Sequence, residues 1–412
     1  RSKNNKELYM TRLLLLTLLL PITLFSQSFL ISNIPLPKTA VPNLDTTSCD
    51  EECLKKYYDS GFIFSFLANT DSNLEDSVLK KEEVEHMSMF DIKPILAETK
   101  LRIALLLPYK KIARYAASTT NASFAYLMSK NRPFELKSYK IEDESLEEIS
   151  KALKQIKTDG FHFVIAPLTQ SGEKVVSKIN PQINIYFPTI NKKDAQTKSG
   201  YLYYGGIDYR AQSDLLLNES VSPLVIFHDN SETGEQLSKY QEYKFKQTSG
   251  SRVLKFSIPQ QTTNLEEQLK DNKRISGGSF FVNTPIVKSG MIISQLTLYD
   301  TNAANVLSTQ TNYNPLIFSM TQYQDRKNMI IANSITQNSD VLIETNAILA
   351  NDIVYDWINY TTTVGIDYFS YIINGEKREY DIPNVDNQMI YPITLLQPSV
   401  SRFIPYGLAA EE

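Results

Sequence analysis

Glycine is scarce in this chain of 412 residues, at 14 positions, and none of it falls into a glycine-rich phosphate cradle. Neither a P-loop nor a dinucleotide fingerprint can be found, which excludes chemistry that depends on several such loops. Histidine is rarer still: His86, His162 and His228 are scattered, and the last two lie within or at the end of apolar runs, as packed histidines do. No Ser/His/Asp set, HExxH motif or paired metal ligands can be assembled, so the sequence offers no catalytic residue, no metal site and no cofactor. Positive charge is not in excess either. Forty-two Lys and Arg stand against 46 Asp and Glu, no basic face is concentrated anywhere, and nucleic acid is therefore not an expected partner. Trp357 is the single tryptophan, and Cys49 and Cys53 are the only cysteines.

The amino end has the form of an export signal. Arg1, Lys3, Lys6 and Arg12 precede the apolar run Leu13–Phe25, and Ser26-Gln27-Ser28 supplies small residues for cleavage after Ser28. An uncleaved anchor is the alternative, because no charge separates Leu13 from Lys38; Pro21 and the polar Ser-Gln-Ser step count against it. Membrane contact is expected through this segment only, and the mature chain is expected in a bacterial periplasm. In that oxidising compartment Cys49 and Cys53, four positions apart, read as a local disulfide rather than a thioredoxin-type pair.

Residues 29–43 are punctuated by Pro35, Pro37 and Pro42 and read as a linker. Residues 45–66 look like a short helix, with Asp45 or Thr47 as its cap. The aromatic run Phe62, Phe64, Phe66 follows, as a docking strand or a helix. The acidic stretch 69–100 reads as solvated extension rather than core. Then the pattern changes. Leu101–Pro108 (LRIALLLP) is a near-continuous apolar run of the kind a parallel strand shows when helices cover both its faces. A helix is expected over 109–130, with Ile112, Tyr115, Ala116, Phe124 and Leu127 on one face. A strand over 134–141, a helix over 145–160 and a strand over 161–168 come next, and the rhythm continues through strands at 183–191 and 201–207 and a helix at 208–220. It restarts at Pro223 (PLVIFHD) and runs to a strand at 314–320. Strands alternating with helices of this length imply parallel pairing through right-handed crossovers. The expected fold is therefore α/β: two Rossmann-like lobes with doubly wound parallel sheets, after an extra amino-terminal segment. The first lobe is assigned to 101–220 with a return over 328–369, comprising a strand at 328–335 and one long helix at 345–369. The second is assigned to 221–320 with a closing β segment over 370–412.

Four stretches resemble the type I periplasmic-binding-protein family, the two-lobed architecture of branched-chain amino-acid receptors. LLLP ends the first strand. VIAPL (164–168) runs into Thr169-Gln170-Ser171, with Ala166 where the family has Gly. HDNSETGEQ (228–236) carries Asp229 and Gly234 in an Asp-x-x-x-x-Gly turn, and NQMIYPITLL (387–396) resembles the closing strand. The resemblance covers about residues 101–396. It implies a cleft at the strand ends between the lobes. It further implies that Thr169, Gln170 and Ser171 lie where such receptors present hydroxyls and backbone N–H groups to a ligand carboxylate. A helix amino terminus favours an anion on physical grounds alone, and Thr169 or Ser171 equally well caps the helix that follows. Asp229 belongs to the same cleft by this resemblance. Asp208 with Tyr209 is the nearest match to the family's acid-and-aromatic clamp, and equally well a helix start.

The departures from the family matter as much. After LLLP the chain places Tyr109, Lys110 and Lys111, bulky and basic where receptors have small residues; Lys110 offers attraction to an anion but crowds the cleft. Two functions are weighed on this basis. One is a non-enzymatic envelope scaffold acting by protein–protein contact through residues 29–100, similar to peptidoglycan-synthase activators or flagellar-motor accessory proteins. The other is a solute receptor delivering an amino acid or related small anion to an ABC transporter.

Overall fold

The computed structural model describes Ile34 and residues 49–408, apart from 71–73, 75, 91–99, 131, 196–198, 250–251 and 376. The export segment, its Ser28 cleavage point, the linker prolines and the alternative caps Asp45 and Thr47 lie outside these residues.

Three helices come first: α1 (Glu51–Asp59), α2 (Ile63–Asn69) and α3 (Ser77–Met89). Asp50 caps α1 by accepting from the Cys53 N–H, and Cys49 is disulfide-bonded to Cys53. The aromatic run is a helix, not a strand: Phe66 and Leu67 turn inward with Leu54, Leu74 and Leu79 to make a small core of their own.

The first sheet begins with β1 (Leu101–Pro108), continuously buried except at Arg102. That one charge reaches the rim, where it donates to Glu135 and to the Asp159 and Gly160 carbonyls, all at 3.0 Å. Helix α4 (Arg114–Ser129), β2 (Phe134–Ile141), α5 (Leu146–Thr158), β3 (Phe163–Ile165), α6 (Gln170–Ile179), β4 (Asn184–Phe187) and β5 (Leu202–Tyr204) follow. Helix α7 (Tyr209–Asn218) then leads to β6 (Leu224–His228), α8 (Glu232–Ser249), β7 (Val253–Ser257), β8 (Gly278–Asn283), α9 (Ile286–Leu298), β9 (Ala303–Ser308) and β10 (Met329–Asn333). Two more helices, α10 (Asp340–Ile348) and α11 (Trp357–Asn374), precede β11 (Asn384–Val385), β12 (Gln388–Met389), β13 (Thr394–Pro398) and β14 (Phe403–Pro405). The strands form two separate seven-stranded sheets, ordered β11-β12-β5-β4-β3-β1-β2 and β14-β13-β10-β9-β8-β6-β7. β1 to β10 pair in parallel within their sheets, as the crossover helices require. Antiparallel pairing enters only with the carboxyl-terminal strands. Apolar clusters fill both faces of each sheet.

Several expectations are corrected by this topology. Residues 314–320 make no strand: Pro315 is set at φ −64°, compatible with a helical turn, and Leu316–Met320 is helical. The sheet position is taken by the less apolar Ala303–Ser308. The strand at 328–335 does form, but between β9 and β13 in the second sheet, so the return to the first lobe starts beyond it. The single helix over 345–369 is two helices. Ala350 is left-handed at φ 52°, and the Asp352 carboxylate accepts from the Val354 and Tyr355 N–H groups in a turn that Asp356 ends by capping α11. Ile348, at the end of α10, is exposed in consequence. The helix over 109–130 likewise breaks at Ala113 (φ 42°); of its expected inward face Ile112, Ala116 and Leu127 are buried and Phe124 is exposed. Finally, α7 packs on the second sheet, Leu216 lying with Leu224, Ile226 and Phe281.

Candidate functional site

The chain crosses between lobes three times: between β5 and α7, between β10 and α10, and between β12 and β13. At the first two, side chains fix the path. Gln212 is fully buried; it accepts from the Gln310 N–H (2.9 Å) and donates to the Ser334 hydroxyl (2.8 Å). Gln310 in turn accepts from the Ser334 N–H (2.6 Å) and donates to Asn333 (3.0 Å). Buried amides are costly unless fully bonded, and here each is bonded to another. Aromatic contacts span the lobes as well, Tyr209 edge-on to Trp357 at 6.1 Å and Tyr313 against Tyr355 at 5.1 Å.

Between the lobes lies a cleft of about 500 Å³, with Gln170, Asn191, Lys193 and Asp194 on the first-lobe wall and Gln236 and Tyr240 on the second. Its charges are paired among themselves. Lys193 bonds Asp208, Arg210 reaches Asp194 at 2.8 Å, and Lys239 reaches Glu235 at 3.2 Å. Each pair is too exposed to add more than about 1 kcal/mol of stability. Their consequence is that among the described lining residues no charge is without a counter-charge beside it. Burial raises the Asp194 carboxyl, with Arg210 opposing the rise. Burial and the bond to Asp214 hold the Tyr240 hydroxyl up at about 12, so it stays a neutral donor.

The amino terminus of α6 is filled from within. Glu144, on the turn between β2 and α5 and only 9 % exposed, accepts from the Thr169 N–H at 2.7 Å, from the Thr169 hydroxyl, and from the Ser171 hydroxyl at 3.1 Å. Thr169 stands at the cap position, yet its side chain makes no capping bond. A carboxylate does stand at this helix end, held by one backbone N–H and two hydroxyls where the helix dipole favours negative charge, and it is the protein's own. Gly172 permits the approach: a Cβ there would stand 2.7 Å from the Glu144 carboxyl carbon.

The structure thus brings Gln170, Asp208 and Tyr209 to the cleft, with Thr169 and Ser171 engaged by Glu144. Asp208 also caps α7, accepting from the Ala211 N–H at 3.0 Å. Asp229 turns back onto its own helix start, accepting from the Ser231 N–H and hydroxyl at 3.2 and 2.6 Å. Tyr109 and Lys110 sit on the short helical turn Tyr109–Ile112. There Lys110 pairs with Glu142 at 2.5 Å and Lys140 lies 4.8 Å over the Tyr109 ring, while Lys111 is exposed. Sequence reasoning missed Glu144, Lys193, Asp194, Arg210 and Tyr240. Among the described residues no group of His, Cys, Asp and Glu could hold a metal ion, and no helix is long and apolar enough to cross a membrane.

Two parallel-cored lobes, joined by three crossovers over a cleft, are the type I periplasmic-binding-protein fold, and solved structures of that class match the chain. Isoleucine-bound LivJ from Streptococcus pneumoniae is 10 % identical, covering 74 % of this chain and 98 % of its own with a TM-score of 0.54. A branched-chain amino acid ABC transporter protein from Rhodospirillum rubrum is 9 % identical over 74 % of this chain and 99 % of its own, at 0.57. Full-length LpoA from Haemophilus influenzae is 11 % identical and covers 86 % of this chain and 75 % of its own, at 0.52. Likeness at such identities establishes a shared fold and leaves the ligand open. No family model and no curated protein matches the sequence.

Proposed function

We propose that this chain is a non-enzymatic binding protein of the bacterial cell envelope, exported to the periplasm, which acts by contact with another protein and delivers no solute. The observation that carries this reading is Glu144. It occupies the helix end where an amino-acid receptor of this fold presents hydroxyls and N–H groups to its ligand's carboxylate. Displacing it strips charge-assisted hydrogen bonds from a nearly buried carboxylate, at a cost of about 1.5–3 kcal/mol for each bond. The paired cleft charges support the same reading, since both acids among the described lining residues, Asp194 and Asp208, already have a cation beside them. The Cys49–Cys53 disulfide supports export. Both kinds of protein, amino-acid receptors and LpoA, share the fold, so the choice rests on the site.

The test is thermal denaturation of the chain with each of the twenty free amino acids in turn. The expected result is an unchanged midpoint with every one. A ligand held at one hundred times its Kd adds about 2.7 kcal/mol, so a rise of several degrees with any amino acid would establish the solute-receptor reading instead.

A further inference from the structure

The amino-terminal helices carry a surface that the lobes do not cover. On α2, α3 and the cap that ends α3, Phe64, Met89 and Phe90 are 57, 66 and 38 % exposed. They do not lie singly: the Phe64 and Phe90 rings are 5.1 Å apart, His86 stacks on Phe90 at 6.4 Å, and Tyr58 meets His86 at 6.1 Å. The result is a continuous aromatic ridge across all three helices, beside the small core that holds them together. Exposed aromatic clusters of this kind mark interaction sites. Carboxylates frame the ridge. Tyr58 is raised first by its bond to Glu82, and the charges of Glu82, Glu85 and Asp59 all act on it. Among the described residues Glu85 and Asp59 have no cationic partner within ion-pair distance, and Glu82 meets His86 at 3.9 Å besides its bond to Tyr58.

We infer that this acid-framed aromatic ridge is a docking surface for a basic amphipathic helix of a partner protein. Apolar side chains of such a helix cover Phe64 and Phe90, and its Lys or Arg residues meet Glu82, Glu85 and Asp59, with cation–π contact open to the ring faces. The carboxylates select against the other occupants. An anionic lipid surface is repelled by them, and a second copy of this chain, related by a two-fold axis, would set like charges against each other. The inference rests on the envelope-scaffold reading and gives it a partner chemistry.

The test uses the full chain and two labelled amphipathic peptides of about five helical turns, one of Leu and Lys, the other of Leu and Glu, read by fluorescence anisotropy. The Leu/Lys peptide is expected to bind at least about tenfold more tightly. The double variant F64S/F90S should lose about tenfold of that affinity with its thermal midpoint unchanged. The triple variant D59N/E82Q/E85Q should lose about threefold and most of the salt dependence. Equal binding of the two peptides, or binding indifferent to both variants, overturns the inference. So does recruitment to phosphatidylglycerol vesicles, or self-association abolished by F64S/F90S. The amino-acid denaturation series reads the parent proposal separately: a stabilising amino acid with peptide binding intact removes that proposal and leaves the ridge standing.

Discussion

Asp367→Ala lowers the free energy of unfolding by about 3–5 kcal/mol, the range for breaking a buried ion pair from one side. Asp367 lies on α11, 1 % exposed. Its carboxylate accepts from the Tyr126 hydroxyl at 3.0 Å, Arg378 Nε at 3.1 Å, and the Glu379 and Tyr380 N–H groups at 2.7 and 3.4 Å. These donors come from α4 and from the segment leading to the β11–β12 hairpin, so one side chain ties two helices to the end of the first sheet. Its removal orphans two backbone N–H groups and leaves a largely buried guanidinium with only the Ile382 carbonyl among its bonded acceptors. Asp367→Asn keeps the shape and loses the charge, and should cost less than Ala. Urea unfolding measures both. In the double variant D367A/R378A the loss should fall short of the sum of the single losses, as it does for groups sharing one network. A loss under about 1 kcal/mol for D367A would show that the carboxylate pins nothing.

How much of this was legible beforehand depends on the range of the interaction. LRIALLLP and PLVIFH read as strands because composition alone decides a strand buried on both faces. The disulfide was legible from compartment and spacing. Elements failed where a local device overrode the apolar pattern: Pro315 starting a helical turn in NPLIFSM, Asp352 and Asp356 splitting a periodic run, Ala113 bending another. Strand 329–333 was found, but its sheet was not, because two lobes of one rhythm leave partner choice to crossovers that periodicity does not encode. Gln170, Asp208 and Tyr209, singled out in the sequence, line the cleft. Its decisive occupant was not singled out. Glu144 sits in the acidic run EDESLEE, which any helix start accounts for, and its bonds span 25 to 27 positions to residues 169 and 171. Gly172 is the one local trace of that approach, and a helical glycine alone does not say what comes near it.

Gly365→Ala is the second large effect, opposite in sign to helix propensity. In the middle of α11, replacing Gly by Ala gains about 1 kcal/mol intrinsically. Here a Cβ would stand 2.2 Å from Tyr186 Cε1, and the ring has no room to retreat. Tyr186 is fully buried; its hydroxyl donates to the Thr361 carbonyl at 2.9 Å and meets Tyr391 at 3.4 Å. On its far side, a Cβ on Gly205 would come within 1.8 Å of the same hydroxyl. Burial raises that hydroxyl, so it remains a neutral donor. The ring is thus wedged between α11 and the first crossover, with the third crossover at Tyr391 against it. Overpacking so confined a site costs about 3 kcal/mol or more, leaving a net loss near 2. Tyr186→Leu removes the obstructing ring, so G365A made in that background should be close to neutral or stabilising, which the double-mutant cycle reads directly. A loss from G365A that persists unchanged in the Y186L background would place the strain elsewhere in α11 and uncouple this packing from the crossovers.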